Sequence, residues 1–399
     1  MVTVEEVDKY IANSLINLGT ETINLEDAVG RVLQQQVVAD RDFPPFNRVM
    51  MDGIAIQFAL WENGKRSFNI EGLAAAGIAQ HRLRNAEGCL EVMTGAVLPE
   101  NTDTVVQYEH LIITAGKAVI GDEYILKVGQ HIHNQGSDRS KREVLLQAGR
   151  VISPAEIGVM ATVGIAEVTV ARSAKVAVIA TGDELIDIEK TPDLHQIRKS
   201  NVHSLIASLR EHNFKAEAFH FKDDMDGLRT GLKEILDSYD VLVLSGGVSR
   251  GKFDYVPEIL AELGVAEQFH FVKQRPGKPF WFGRHKKAVV FALPGNPVAS
   301  FVGLYRYVIP FLYCSMGVEP KVAKAMLTAD FTFKPNLTYF LQVKLNYSND
   351  GHLLATPVPG HGSGDLANLL TADAFLGLPS DTDVFKKGEV FSCYWFRKM

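Results

Sequence analysis

Lys175 to Gly182 reads KVAVIATG, and Val241 to Gly247 reads VLVLSGG. Each is a short apolar run closed by glycine, as expected of a strand buried on both faces that ends in a tight turn. Around them lie segments of helical spacing. In SNVHSLIASLREHN (200–213), Val202, Leu205, Ile206 and Leu209 share one face, and in DGLRTGLKEILDSY (226–239), Leu228, Leu232, Ile235 and Leu236 do. Strand-like KAEAFHF (215–221), EQFHFV (267–272) and AVVFALPG (288–295) continue the series, with helix-like YVPEILAELG (255–264) and NPVASFVGLYRYVIPFL (296–312). This alternation is the grammar of a doubly wound α/β domain, predicted over 173–318.

The flanks differ. Val4, Val7, Tyr10, Ile11 and Leu15 predict an opening amphipathic helix over 3–16. From about 21 to 150, pieces such as INLEDAVG, SFNIEGLA and DTVVQYEHLII alternate with Gly, Asn and Asp turns and read as mostly β. After Gly317, FTFKP, TYFLQVKLNY and HLLATPV predict a small C-terminal β domain. A chain of 399 residues, 46% of them hydrophobic, requires more than one core. A net charge of −6 gives no basic field, so nucleic acid is not an expected partner. Cys89, Cys314 and Cys393 are odd in number and dispersed, which suits neither a disulfide framework nor a zinc cluster. With no basic-then-apolar leader and no uncharged apolar run of spanning length, a cytoplasmic protein without a membrane partner is expected.

Ligands of open α/β sheets bind beyond the carboxyl ends of the strands, where turning loops offer free N–H groups. Three loops fall there: Thr181-Gly182-Asp183-Glu184, Ser245-Gly246-Gly247-Val248-Ser249 and Pro294-Gly295-Asn296-Pro297. Gly246 and Gly247 let backbone approach a phosphate, and Ser245 and Ser249 can donate to its oxygens. The acids Glu184, Asp223, Asp224 and Asp254 accompany this edge and suit a hard cation such as Mg²⁺, although Asp224 reads more readily as a helix cap. Arg275 and Lys278, on a loop that two prolines restrict, suit an oxyanion. Asp52 sits on the stiff loop of DFPPFNRVMMDGIAI, and Thr94 begins a turn in EVMTGAVLPENTDTVV. His131 and His133 form a spaced pair with no third metal ligand in view.

Taken in order, PPFNRVMMDGIAI, MTGAVLPENTDTVV, GSDRSKREVLLQAG, GIAEVTV, IATGDEL, LSGGVSRGKFDY, RPGKPFWFG, ALPGNPVAS and HGSGDLANLLTADAFLGLP resemble the molybdopterin molybdenumtransferases. That family includes the C-terminal domain of the scaffold protein gephyrin. The resemblance covers nearly the whole chain and implies a multidomain α/β plus β fold. Residues 1–45 and 140–172 would form a linking domain, 46–139 a β-rich inserted domain, 173–318 the doubly wound molybdopterin-binding domain and 319–399 a small C-terminal β-barrel. It also implies an elongated homodimer with its active site at the subunit interface.

The implied reaction inserts molybdenum from molybdate into adenylylated molybdopterin with release of AMP. By motif, Asp52, Asp138, Glu184, Asp223 and Asp254 take the catalytic positions, with Asp223 and Asp254 holding Mg²⁺. Thr94, Thr181, Ser245, Gly246, Gly247, Ser249, Arg275, Lys278, Pro294, Gly295, Asn296 and Pro297 take the substrate-binding ones. The chain departs from the pattern at Asn47-Arg48-Val49-Met50 before Met51-Asp52-Gly53, at Ser137 and Arg139, at Lys199 and at Arg250. The alternatives are a molybdopterin adenylyltransferase or a competence-damage-type deamidase, which share the α/β domain only, and a non-catalytic molybdopterin-nucleotide-binding scaffold.

Overall fold

The computed structural model describes residues 1–248 and 255–397, in two compact units. The first comprises Met1–Gln34, Gly149–Ser153 and Glu167–Met399. Its central sheet holds β1 (Val176–Thr181), β2 (Ala216–Phe221), β3 (Val241–Ser245), β4 (Ala266–His270), β5 (Trp281–Arg284) and β6 (Val289–Leu293). Their order is β2-β1-β3-β6-β5-β4. The β2, β1, β3 and β6 strands run parallel, while β5 and β4 close one edge antiparallel. From β1 the chain moves to one side to form β2, then crosses back to form β3 on the other. The carboxyl ends of β1 and β3 therefore flank a topological switch point.

Alternation along β1 gives the sheet two cores. Val176, Val178 and Ala180 pack with Val202, Leu205 and Leu209 of helix Ser200–Glu211, and Ala177 and Ile179 pack with Leu228, Leu232, Ile235 and Leu236 of helix Met225–Ser238. These are the helical faces the spacing predicts, except that Ile206 is only half-buried. Asp224 is the N-cap of Met225–Ser238, its carboxylate accepting from Gly227 N at 2.9 Å. The sequence does not signal β5, because its four residues include a glycine and show no alternation. Trp281 anchors it, fully buried, with Nε1 donating to Glu267 at 2.8 Å.

Pro297–Ser315 is one helical stretch with a π-turn at Leu304–Val308 just before Pro310, whose missing N–H cannot continue the ordinary ladder. Its length and mean hydropathy of 1.3 would suit a membrane span, but 67% of that window is buried in this core. The opening helix is shorter than the spacing predicts. Val4–Ala12, held by a Thr3/Glu6 capping box, buries Val4, Val7 and Ile11 in the same core. Tyr10, within the helix, and Leu15, beyond its end, are instead exposed.

Thr338–Tyr347 pairs with both Leu353–Pro357 and Ala374–Leu378, and Ala323–Leu327 with Val390–Trp395 completes a closed five-stranded barrel. Gln274–Arg275 adds in parallel to the Thr338 end, which ties the loop bearing Arg275 to this barrel.

The second unit comprises Gln35–Ala148 and Pro154–Ala166. Its six-stranded sheet runs in the order Thr104–Gln107, Gly53–Ile56, Cys89–Val92, Ser67–Ala74, Lys117–Ile120, Leu111–Thr114. Gly53 is obligatory at its place, since a Cβ there would lie 1.9 Å from Val106 O. The expected multidomain α/β plus β architecture is thus borne out.

Candidate active site

A cleft of about 910 Å³ opens at the switch point. The three sequence-predicted loops converge on it, contributing Thr181, Gly182, Glu184, Ser245, Gly246, Gly247 and the Pro294–Pro297 turn, and Asp223 joins them from the end of β2. Gly246 has φ +112° and Gly247 +70°, a region side chains rarely adopt. A Cβ on Gly246 would meet Thr181 Oγ1 at 3.0 Å, and one on Gly247 would meet Val256 Cγ2 at 2.6 Å. The paired glycines are therefore what lets this loop fold closely over the end of β1. Thr181 is 6% exposed, and its Oγ1 is buried with no hydrogen-bond partner. A buried hydroxyl without a partner is costly, and at this position it lies under the phosphate-sized loop.

Asn201 organises the cleft and was not foreseen. Its Nδ2 donates to Ser245 Oγ at 2.9 Å and to Gly295 O at 2.8 Å, joining helix Ser200–Glu211 to two of the loops. In sequence it is one asparagine in a helical first turn, indistinguishable from a cap. Lys199, where the chain departs from the family pattern, also lines the cleft and is ion-paired with Asp187. That contact is the first of the causes holding the Asp187 carboxyl below its ordinary value.

Arg275 and Lys278 line an adjoining cleft of about 500 Å³ that shares Pro279, Pro294 and Asn296 with the first. Its far wall is His361, Gly362 and Ser363, and Asn296 Nδ2 donates to Ser363 Oγ at 2.8 Å. Arg275 stands over the Phe333 ring at 5.9 Å. Below the loop, buried Gln274 donates to Pro276 O at 3.1 Å. Two clefts thus adjoin: one with Glu184, Asp223, Lys199 and a glycine loop, one with Arg275 and Lys278.

In the second unit, Asp52 follows the Arg48–Val49 strand. Its Oδ1 accepts from Thr94 N at 2.6 Å and from Thr94 Oγ1 at 2.7 Å. The backbone bond, then the hydroxyl, hold its carboxyl below the ordinary value. Asp52 and Thr94 are therefore one constellation. Asp138 Oδ1 lies 2.8 Å from His133 Nε2. The His131/His133 pair does not converge on a metal, since His131 contacts Gln130 and His133 contacts Arg48 and Asp138. No group of three or more His, Cys, Asp or Glu gathers as a metal site among the described residues. Ser249, Arg250 and Asp254 lie outside the described residues.

A glycine-rich cleft at the switch point of a doubly wound sheet, with acids and an adjoining basic space, defines an α/β protein built to bind phosphorylated, anionic ligands. Comparison narrows the class. Residues 2–164 match the MoeA N-terminal region (domain I and II), 177–313 the Probable molybdopterin binding domain and 324–396 the MoeA C-terminal region (domain IV). The molybdopterin molybdenumtransferase of Synechocystis sp. is 38% identical over 397 residues, covering 99% of this chain and 100% of that protein. That of Bacillus subtilis is 31% identical over 409 residues, covering 100% and 94%. The molybdopterin biosynthesis moeA protein of Pyrococcus horikoshii superposes with a TM-score of 0.84 at 27% identity, with both chains fully covered. The chain belongs to the molybdopterin molybdenumtransferase family.

Proposed function

We propose that this chain inserts molybdenum from molybdate into adenylylated molybdopterin, releasing AMP and completing the molybdenum cofactor. The observation that carries this reading is the pair of adjoining clefts, which share Pro294 and Asn296. The phosphates of the nucleotide rest against Gly246 and Gly247, whose backbone turns over the end of β1. Molybdate, a tetrahedral dianion, sits beside Arg275, Lys278 and the Pro294-Gly295-Asn296-Pro297 turn.

Both substrates are anions, so their approach needs compensating charge. Mg²⁺ fits the donor set, because it keeps several waters and takes one or two carboxylates together with substrate phosphates. Asp223 and Asp254 would hold it, with Glu184 on the same cleft wall. When bound it supplies charge neutralisation at the phosphoanhydride. Asp52, kept ionised by Thr94, and Glu184 orient water at the reacting centre, and Asp52 and Asp138 come from the other subunit of a homodimer. A cytoplasmic location is supported by three free cysteines, of which Cys89 and Cys393 are buried with thiols pushed up to about 12 by that burial.

The test is AMP release from adenylylated molybdopterin by the purified protein, with molybdate and Mg²⁺ each omitted in turn. AMP release that depends on both, and is lost in a folded Asp52→Ala variant, is expected. Nucleotide binding without AMP release under any condition would overturn the reading in favour of a non-catalytic scaffold.

A further inference from the structure

Arg48 and His133 stand opposite one another on the paired strands Arg48–Val49 and Ile132–His133. Arg48 Nη2 lies 3.0 Å from His133 Nδ1, and His133 Nε2 lies 2.8 Å from Asp138 Oδ1. A guanidinium has only donors and a carboxylate only acceptors. Arg48 must therefore donate to a lone pair on Nδ1, which leaves the ring's single proton on Nε2, directed at Asp138. The opposite tautomer would set a proton against the guanidinium and a lone pair against the carboxylate. The backbone of Asp138 is already fixed, with its N–H donating to Phe43 O at 2.9 Å and its carbonyl accepting from Arg139 at 2.7 Å. Its side chain is 55% exposed, so an untethered carboxylate would be free to change rotamer.

We infer that Arg48 is a positioning residue: by donating to Nδ1 it fixes the ring of His133, whose Nε2–H holds one oxygen of Asp138 and leaves the other free for the proposed transfer. This rests on the reading of Asp138 as a site residue in the proposed transfer. The side chain of Arg48 bonds to His133 Nδ1 and not to Asp138, so its effect on Asp138 passes through the imidazole.

The test joins ¹⁵N NMR of histidine-labelled protein near neutral pH with steady-state AMP release. In the wild type the His133 ring is expected as Nε2–H. In Arg48→Ala the Nδ1 resonance moves toward that of a lone pair with no hydrogen bond, and Arg48→Lys, which keeps a donor, restores the original. In AMP release, Arg48→Ala lowers kcat about tenfold while KM for adenylylated molybdopterin changes by less than about twofold. Adding Arg48→Ala to Asp138→Asn then costs nothing further. A wild-type ring protonated on Nδ1, or wild-type kcat in Arg48→Ala beside a damaged Asp138→Asn, would overturn the proposal. A wild-type protein that released no AMP would instead sink the transferase reading and, with it, any role for the relay in catalysis.

Discussion

Gly247 shows how little room the first cleft leaves for change. A methyl group there would have to displace Val256 while the backbone held a φ of +70°. Gly247→Ala should therefore cost about 1–3 kcal/mol of stability and weaken nucleotide binding more than about tenfold. Chemical denaturation and equilibrium titration with adenylylated molybdopterin read the two effects separately, and unchanged affinity would remove the loop from the site. Asp52 makes a second prediction at this scale. Its carboxyl is held low, first by the Thr94 N–H and then by the Thr94 hydroxyl, so it stays charged to lower pH than an ordinary aspartate. Any stabilisation from that anion is present above its unfolded pKa and lost as pH falls through the lower, folded one. Thr94→Val keeps the N–H and deletes the hydroxyl, so the Asp52 carboxyl should titrate at higher pH by ¹³C NMR. The acid limb of AMP release should move to higher pH with it. Glycine pairs and acids after strands were legible as a site because their roles are local. The role of Asn201 was not, because its partners Ser245 and Gly295 are distant in sequence.

Among the elements, the helix Pro297–Ser315 carries a charge into the core. Arg306 is stacked between Tyr307 at 4.8 Å and Tyr394 at 5.0 Å and paired with Asp8 of the opening helix at 2.7 Å. Its own side chain is 14% exposed, its Nε is buried without a partner, and Asp8 is 47% exposed. Removing the acid strands a buried cation, whereas removing the cation strands only an accessible acid. Asp8→Ala should thus cost about 2 kcal/mol, between the values for exposed and buried pairs, and Arg306→Met should cost less. Denaturant unfolding of both variants checks the order, and the reverse order would show that the cation–π stack outweighs the ion pair. Helix faces such as Leu228, Leu232, Ile235 and Leu236 could be read from spacing because burial follows the 3.6-residue period. Neither β5 nor the π-turn could. β5 exists because Trp281 fills a space made by other strands, and the π-turn exists because Pro310 falls inside an otherwise continuous apolar run.

For the molecule as a whole, the order of motifs along the chain made the α/β and β divisions readable, because each motif carries its own periodicity. Barrel closure was not readable from pattern, since it depends on Thr338–Tyr347 being long enough to pair with two strands at once. The proposed homodimer is open to a direct genetic test, because the residues assigned to the reaction lie on two units: Asp52 on one, Glu184 and Asp223 on the other. If each site draws Asp52 from one subunit and Asp223 from its mate, two inactive variants can rescue one another. Asp52→Ala and Asp223→Ala chains, mixed equally and refolded or co-expressed, give heterodimers in half of the pairs. Each heterodimer has one intact site and one doubly damaged one, so about a quarter of wild-type AMP release should return. Neither variant alone, nor the two mixed without subunit exchange, should show it. If activity stays at the level of the single variants while mass measurement shows heterodimers, each site is complete within one chain, and the interface placement of Asp52 fails even though the transfer reaction can stand.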